Sequence, residues 1–361
     1  MKKIYDPVHG FIHLEQDELR LIDSLPFQRL HYIHQLGCAL FVYPGATHKR
    51  FEHSLGTMEV ATRSFDQLAN SLGKEETQLK YLRKVVRFAA LCHDLGHLPF
   101  SHVAEKALLG DSSHEAWTAK LIESEMLGEC FANAEIDPKD VVKAAVGPKY
   151  CKEHYSDLDL LITEIITGDF FGADRIDYLL RDAKSSGLPY GLFDYEQIIE
   201  MLRITSDGRI GMELAGIEAC ESLLLARYFM HKRIYQYPSV KAYGYHMAEF
   251  MRAHLLKVPD EPEEYVNLHD MGIITLIWKE RDHPHAAPFI DRSKRFLAIP
   301  SNLARAEKPQ VMDFPVVRGG EVIGVGSDFS NAIAPLSSYS WTYLPREDLN
   351  NCSADSTSQR F

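Results

Sequence analysis

Basic residues are scarce in this chain of 361 residues, which has 39 Lys and Arg against 51 Asp and Glu and a net charge of −12. Binding along a nucleic-acid backbone needs clustered Lys and Arg to neutralise the phosphates. We therefore expect no stable nucleic-acid complex. A local basic pocket for one small anionic substrate is still compatible with this composition.

Cysteines are also few, and none of the six lies in a Cys-x-x-Cys pair. In a chain of this length, that spacing indicates reduced thiols rather than a disulfide framework. The first residues lack the apolar segment of a signal peptide, and no apolar run approaches the roughly 20 residues of a membrane span. These absences predict a cytoplasmic protein with no membrane partner.

Histidine, in contrast, is abundant, with 17 residues, and three of them fall within the stretch Leu91–His102. Here His93 and Asp94 are adjacent, and imidazole nitrogen with carboxylate oxygen suits a catalytic divalent or iron-type ion. A structural zinc site would more often use thiolates. His53 and Asp174, each near a predicted helix start and close to small residues, would complete a set of two imidazoles and two carboxylates. The metal could be Mg, Mn, Fe, Ni, Co or Zn.

Apolar residues recur mostly at helical spacing, which predicts a mainly α fold. A helical core is expected over residues 1–257, with a small hairpin, followed by a smaller mixed α/β module at 258–350 and a disordered tail at 351–361. One long helical segment is predicted over 215–257. A favoured Asp-Gly turn predicts a hairpin over 202–213, and two further strands are expected at 311–317 and 321–325.

Long ordered motifs lie within about residues 1–255. They are Asp6–Gly10, Phe27–Leu30, Gln35–Gly37, Tyr43–Ala46, Arg50–Gly56, Leu91–His102 and Asp174–Asp182. These motifs resemble the deoxynucleoside triphosphate (dNTP) triphosphohydrolases of the HD-domain superfamily, which include the animal enzyme that joins a SAM domain to an HD domain. The resemblance implies metal-dependent hydrolysis of a dNTP to deoxynucleoside and inorganic triphosphate.

The resemblance also implies roles for residues around the metal ligands. A triphosphate carries several negative charges and needs cations besides the metal, and the family places basic residues at two matching positions. It places proton-transferring histidines at three positions, and an acidic residue that orients them at a fourth, where this chain has Glu in place of Asp. These residues are Arg50 and Arg175 for the phosphates, and His97, His102, His114 and Glu105 for catalysis.

Sugar and base recognition is implied in the same way. Tyr178 and Asp182 lie on one helix face, where the Tyr ring would exclude a 2′-hydroxyl and the carboxylate would accept from the 3′-hydroxyl. Gln35 and Leu36 match residues that line the base. Arg233 and Tyr237 match the helix that closes the pocket, although Tyr237 stands where the animal enzyme has His.

The chain departs from the family at the allosteric nucleotide site of the animal enzyme. Asp23 and Gln28 match two residues of that site, but His31 replaces an Arg, and imidazole is a poorer partner for guanine or phosphate. The family implies a homodimer or homotetramer. Two other functions stay open: an HD-domain phosphohydrolase of nucleoside monophosphates or cyclic nucleotides, and a non-catalytic binder of nucleotides or single-stranded nucleic acid.

Overall fold

The computed structural model describes residues 2–110, 112–254, 258–296, 299 and 313–333, and most of these residues are helical. The predicted mainly α fold is confirmed. The predicted tail at 351–361 and the first residues of the strand at 311–317 lie outside the described residues. Within the described part of the chain, no helix is both long and apolar enough to cross a membrane.

Most of the described helices follow one another with short connections. In chain order they are α1 (Gln16–Ile22), α2 (Leu25–Gln28), α3 (Arg50–Ala69), α4 (Glu76–Cys92), α5 (His102–Leu108), α6 (His114–Ile122), α7 (Glu125–Ala134), α8 (Pro138–Tyr150), α9 (Asp157–Thr167), α10 (Ala173–Ser186), α11 (Tyr195–Glu200), α12 (Ile217–Met230), α13 (Pro238–His254), α14 (Pro262–Tyr265), α15 (Asp270–Lys279), α16 (Ala287–Ile290) and α17 (Gly326–Phe329).

The core forms where α3 packs against both α4 and α10. One face of α4 is apolar at helical spacing and fully buried, with Val86, Phe88 and Ala89 at 0–1% exposure. Burial of such a stripe stabilises a helix more than its intrinsic propensity does. This packing fixes the start of α3, the end of α4 and the start of α10 relative to one another.

The long helical segment predicted over 215–257 is interrupted. It forms α12 and α13, with the π-helical turn His231–Tyr235 between them. Pro238 opens α13 because a proline lacks the backbone N–H that a helix interior needs but is tolerated in the first turn. The interruption matters because π-helical turns often occur at functional sites.

Two small sheets accompany the helices, with strands β1 (Lys2–Asp6), β2 (Gly10–Leu14), β3 (Leu202–Ile204), β4 (Ile210–Glu213), β5 (Pro315–Arg318) and β6 (Glu321–Val325). The predicted hairpin over 202–213 is confirmed, since β3 pairs with β4 in antiparallel register, and β1 and β2 form a second antiparallel hairpin. Strand β5 pairs in parallel with β4 and antiparallel with β6. The two predicted parts of the chain therefore share one sheet, while the domain boundary at 257 stays a prediction.

Candidate active site

The four predicted metal ligands come from three helices and meet at one point. His53 lies in the first turn of α3, His93 and Asp94 follow α4, and Asp174 lies in the first turn of α10. Nε2 of His53 is 3.0 Å from Oδ1 of Asp174 and 3.5 Å from Oδ2 of Asp94. Nε2 of His93 is 3.5 Å from one oxygen of each carboxylate.

This arrangement fits one metal ion. Ligand atoms bound about 2.1 Å from an ion lie roughly 3 Å or more apart, as these do. Nδ1 of His93 is 2.7 Å from the Ala90 carbonyl oxygen and donates to it, so Nε2 carries the lone pair. That buried Nε2 makes no aligned hydrogen bond among the described residues. The Asp174 side chain is 34% exposed, whereas those of the other three ligands are at most 6% exposed, so the site opens to solvent beside Asp174.

A buried carboxylate behind His53 fixes the orientation of that imidazole. Oδ2 of Asp177 lies 2.7 Å from Nδ1 of His53, which donates to it and leaves Nε2 facing the other ligands. Asp177 also accepts from His9 at 2.6 Å and from two nitrogens of Arg181 at 2.9 Å. The Arg181 guanidinium also donates to a carboxylate oxygen of Asp6, 2.8 Å away. This network ties the β1–β2 hairpin to α3 and α10 at the site.

Charge at the centre favours a cation. Burial alone would lower the pKa of His53, but the surrounding carboxylates, Asp174 first among them, raise it to about 10. Burial would likewise raise the pKa of Asp94, but Arg50 and the neighbouring imidazoles hold it well below its usual range. The centre therefore holds ionised carboxylates that a metal ion would complement.

Both predicted phosphate-contacting arginines lie next to the ligands. Arg50 is 4% exposed, so it is not a solvated surface residue. Its guanidinium donates to Asp94 and, at 2.9 Å, to Oγ of Ser101. Arg175 follows Asp174 on α10, and one of its guanidinium nitrogens lies 3.8 Å from a carboxylate oxygen of Asp169. Two guanidinium groups thus lie on the elements that carry the ligands.

The four predicted catalytic residues form one cluster beside the metal ligands. Oε2 of Glu105 accepts from Nδ1 of His102 at 3.0 Å and from Nδ1 of His114 at 2.9 Å. The ring of His114 stacks on that of His97, with centroids 3.9 Å apart. Nε2 of His97 lies 3.3 Å from Oδ1 of Asp94. One carboxylate oxygen of Glu105 thus holds both imidazoles.

Burial and neighbouring charges set the charge states of His97 and Glu105. Burial, Arg50 and His114 together place the pKa of His97 well below its usual value, so His97 is neutral near pH 7. Burial would raise the pKa of Glu105, but the hydrogen bonds from His102 and His114 outweigh it and lower the pKa. The cluster thus combines a neutral imidazole with two imidazoles held by an ionised carboxylate.

The predicted sugar-contacting residues lie on the same face of α10 as Asp174. Asp182 is buried and accepts from Nε2 of His48 at 2.7 Å and from the hydroxyl of Tyr235 at 2.8 Å. The ring of Tyr235 meets that of Tyr178 edge to face, with centroids 6.0 Å apart. Each carboxylate oxygen has two acceptor sites, so Asp182 can accept a further hydrogen bond. The predicted bond from a 3′-hydroxyl to Asp182 stays a prediction.

The remaining predicted substrate residues lie on other parts of the chain. Gln35 donates its backbone N–H to the carbonyl of His48 at 3.0 Å, and Leu36 packs against the core next to it. Tyr43 links the other two residues, since its hydroxyl donates to the carbonyl of Arg233 and its ring lies 6.1 Å from that of Tyr237. Their contacts with a substrate stay predictions.

Two family models match this chain. The model of the HD domain matches residues 50–147, and the model of the HD associated region matches residues 193–296. This is an HD-domain protein. The first match contains three of the four ligands, and the fourth, Asp174, lies between the two matches.

Relatives of this HD-domain protein include curated and structurally solved proteins. It is 36% identical over 282 residues to an uncharacterised protein of Methanocaldococcus jannaschii, covering 77% of this chain and 54% of the relative. It is 31% identical over 269 residues to the human deoxynucleoside triphosphate triphosphohydrolase SAMHD1, covering 66% of this chain and 42% of the relative. The chain thus spans about half the length of the curated relatives it matches. A hypothetical protein from Aquifex aeolicus has a similar crystal structure, with a TM-score of 0.78, 28% identity and coverage of 97% of this chain and 98% of that one.

Several residues of the HD-domain protein's site were not predicted from its sequence. Asp177 and His9 lie inside motifs that carry the family resemblance, yet no role was assigned to them. The spacing of Asp177 and Arg181, four apart on a helix, was a usable signal for an ion pair. His48 and Tyr235 gave no such signal, because their partner Asp182 is distant in sequence.

Proposed function

We propose that this HD-domain protein hydrolyses deoxynucleoside triphosphates in a metal-dependent reaction that yields deoxynucleoside and inorganic triphosphate. The observation that carries the proposal is that two groups of side chains adjoin each other. A centre of two imidazoles and two carboxylates adjoins the cluster of His97, His102 and His114 around Glu105, with Nε2 of His97 3.3 Å from Oδ1 of Asp94. The likeness to the human deoxynucleoside triphosphate triphosphohydrolase SAMHD1 supports the same substrate class.

His53, His93, Asp94 and Asp174 would hold the metal. When bound, a divalent or iron-type ion would polarise a phosphoryl oxygen and make water more acidic. The protein prepares for this by fixing both imidazoles through their Nδ1 atoms, one on Asp177 and one on a backbone carbonyl. Ligands oriented in this way need little rearrangement on binding.

Proton transfer is the proposed task of the histidine cluster. In this reaction water attacks the α-phosphorus, the bond to the nucleoside 5′-oxygen breaks, and that oxygen takes up a proton. One imidazole must therefore accept a proton from water and another must donate one to the leaving oxygen. Because Glu105 holds the Nδ1 atoms of His102 and His114, their Nε2 atoms remain for substrate.

The two guanidinium groups and one face of α10 are the proposed binding groups for the substrate. Arg50 and Arg175 would bind the triphosphate, because a guanidinium matches two phosphate oxygens at once. The Tyr178 ring would pack on the deoxyribose and leave no room for a 2′-hydroxyl, while Asp182 would accept from the 3′-hydroxyl. Gln35 and Leu36 would line the base, and Arg233 and Tyr237 the pocket mouth.

The decisive experiment is a substrate panel with product identification. Purified protein, stripped of metal and reloaded separately with Mg, Mn, Fe, Ni, Co or Zn, is incubated with dNTPs, NTPs and nucleoside monophosphates. Phosphorus NMR then identifies the phosphate species released. We expect free triphosphate from dNTPs and little turnover of the other substrates. Release of pyrophosphate or orthophosphate from dNTPs, or equal turnover of NTPs, would contradict the proposal.

We also propose a homodimer or homotetramer, as the family resemblance implies, and a cytoplasmic location, as the cysteine spacing and the apolar pattern predict. Light scattering coupled to gel filtration measures the mass directly. A mass of one chain at assay concentration, combined with full activity, would contradict this part of the proposal without affecting the reaction itself.

A further inference from the structure

The turn between His97 and His102 has an unusual backbone. Phe100 and Ser101 have φ values of 58° and 57°, in the left-handed region that residues with a side chain rarely adopt. Such conformations persist only where the surroundings fix them, and they cluster at functional sites. Ser101 also accepts from Arg50 at 2.9 Å, so this turn determines where that guanidinium lies.

A buried carboxylate from α15 holds this turn. Asp270 is fully buried, and its Oδ1 accepts from the backbone N–H of Phe100 at 2.8 Å. Its Oδ2 accepts from the backbone N–H of His34 at 2.8 Å and from the His34 ring at 2.5 Å. The His34 carbonyl in turn accepts from the Ser101 hydroxyl at 3.2 Å. Asp270 therefore fixes both strained residues, one directly and one through His34.

Neighbouring residues of the same segment hold the turn from the other end. The hydroxyl of Tyr265 donates to the carbonyl of Gly96, 2.5 Å away. Arg29 bridges the two segments, since it donates to the carbonyls of Leu268 at 2.7 Å and His97 at 2.6 Å. Residues 265–270 belong to the matched HD associated region, whereas residues 96–101 belong to the matched HD domain.

We propose that Asp270 is a positioning residue through which the HD associated region sets the geometry of the active-site turn. It would act on His97, His102 and Arg50 through Phe100 and His34. The catalytic consequence rests on the proposed function, but the structural contact does not. Metal binding is expected to be independent of Asp270, because His93 and Asp94 precede the turn.

The test is Asp270→Asn, with Glu18→Gln as the matched control. Asn keeps the shape of the side chain but replaces one acceptor oxygen with an NH₂ group, which then faces a backbone donor. Glu18 is likewise a buried carboxylate, at 3% exposure, but it pairs with Arg87, with its Oε2 2.7 Å from a guanidinium nitrogen. The described contacts of Glu18 do not include the turn, so Glu18→Gln reports the general effect of changing a buried carboxylate.

Three quantities are measured on each full-length protein: metal bound per chain, kcat and KM for a dNTP, and hydrogen exchange of the peptide 95–102. For Asp270→Asn we expect full metal content, a fall in kcat of about 10- to 100-fold from misplaced groups, and faster exchange confined to that peptide. Tyr265→Phe, a milder change in the same segment, is expected to lower kcat by about three- to tenfold on the same grounds. Glu18→Gln should keep kcat within about twofold of wild type, since it touches no reacting group.

The outcomes separate this inference from the proposed function. Unchanged kcat and local exchange in Asp270→Asn would overturn it, as would equal effects in Glu18→Gln. Loss of metal in Asp270→Asn would also overturn it, because the role would then lie at the ligands. If wild type hydrolyses no dNTP, the proposed function fails, and hydrogen exchange of Asp270→Asn alone tests the role of Asp270. Faster exchange confined to the peptide 95–102 supports that role, and a uniform increase across the chain refutes it.

Discussion

Replacing Gly56 with Ala would drive a methyl group into the network behind the metal ligands. A Cβ atom at this position of α3 would lie 1.9 Å from Oδ1 of Asp177 and 2.3 Å from Nη2 of Arg181. Both side chains are at most 1% exposed, and they are joined by two hydrogen bonds of 2.9 Å. Neither can turn towards solvent, so α3 and α10 must separate or the ion pair must break.

The size of the effect follows from these contacts. Breaking a buried ion pair costs about 3–5 kcal/mol, and simple overpacking costs about 1–3 kcal/mol. Ala gains about 1 kcal/mol over Gly in helix propensity. Because Asp177 would have to move by at least about 1.5 Å to reach an ordinary contact distance, we expect pair breaking and a net loss of about 2–4 kcal/mol in unfolding free energy. His53 would lose its oriented acceptor, which lowers metal affinity by about 10- to 100-fold.

Gly128→Ala is the matched control. Gly128 is an exposed residue of α7, and a Cβ there would meet no other atom within 4 Å. We expect this variant to be as stable as wild type or up to about 1 kcal/mol more stable, with unchanged metal affinity. Urea denaturation gives the unfolding free energy, and calorimetric titration of metal into the stripped protein gives the affinity. If Gly56→Ala matches Gly128→Ala in both measurements, the assignment of Asp177 to the support of His53 is wrong.

Other substitutions test the remaining parts of the site. His93→Ala should abolish both metal binding and turnover, scored by metal analysis and product release; residual dNTP hydrolysis at the wild-type rate would show that the site lies elsewhere. Asp177→Asn should weaken metal binding by about 10- to 100-fold and, because it breaks the buried pair with Arg181, lower the unfolding free energy by about 3–5 kcal/mol; calorimetry showing wild-type metal affinity would contradict this. Glu105→Gln should lower the thermal midpoint near neutral pH, because the pKa of Glu105 is lowered in the folded protein. The ionised carboxylate therefore stabilises the fold at every pH above the pKa that Glu105 has in the unfolded chain. That difference should shrink below about pH 4 as the wild-type carboxylate takes up protons; a difference that is constant with pH would refute the ionised role.

The helices that carry the predicted ligands were predictable because local sequence determines where a helix begins and ends. Apolar spacing marks α3, α4 and α10, and each ligand lies at the beginning or just beyond the end of one of these helices. The pairing of Tyr178 with Asp182 on one face likewise follows from helical geometry. The break in the helix before Pro238 could have been predicted from the same rules, because a proline interrupts a helix. The apolar pattern continues on both sides of it, and for that reason one helix was predicted.

The partners of the ligands could not be predicted because they are distant in sequence. Phe100 and Asp270 are separated by 170 residues, and His53 and Asp177 by 124. No local pattern marks such pairs, since they form only when α15 and α10 pack into place. The same reason explains why the strands at 311–317 and 321–325 were predicted without the hairpin at 202–213, with which the first of them pairs.

The histidine-rich stretch divides at the turn into two parts that the protein holds by separate means. His93 and Asp94 continue directly from α4, and the His93 ring is fixed by a carbonyl of that helix. His97 and His102 border a strained turn that depends on Asp270 from another region of the chain. Loss of a ligand at the end of α4 or the start of α10 should therefore remove metal and turnover together. A change at Asp270 should instead lower kcat and leave the metal in place.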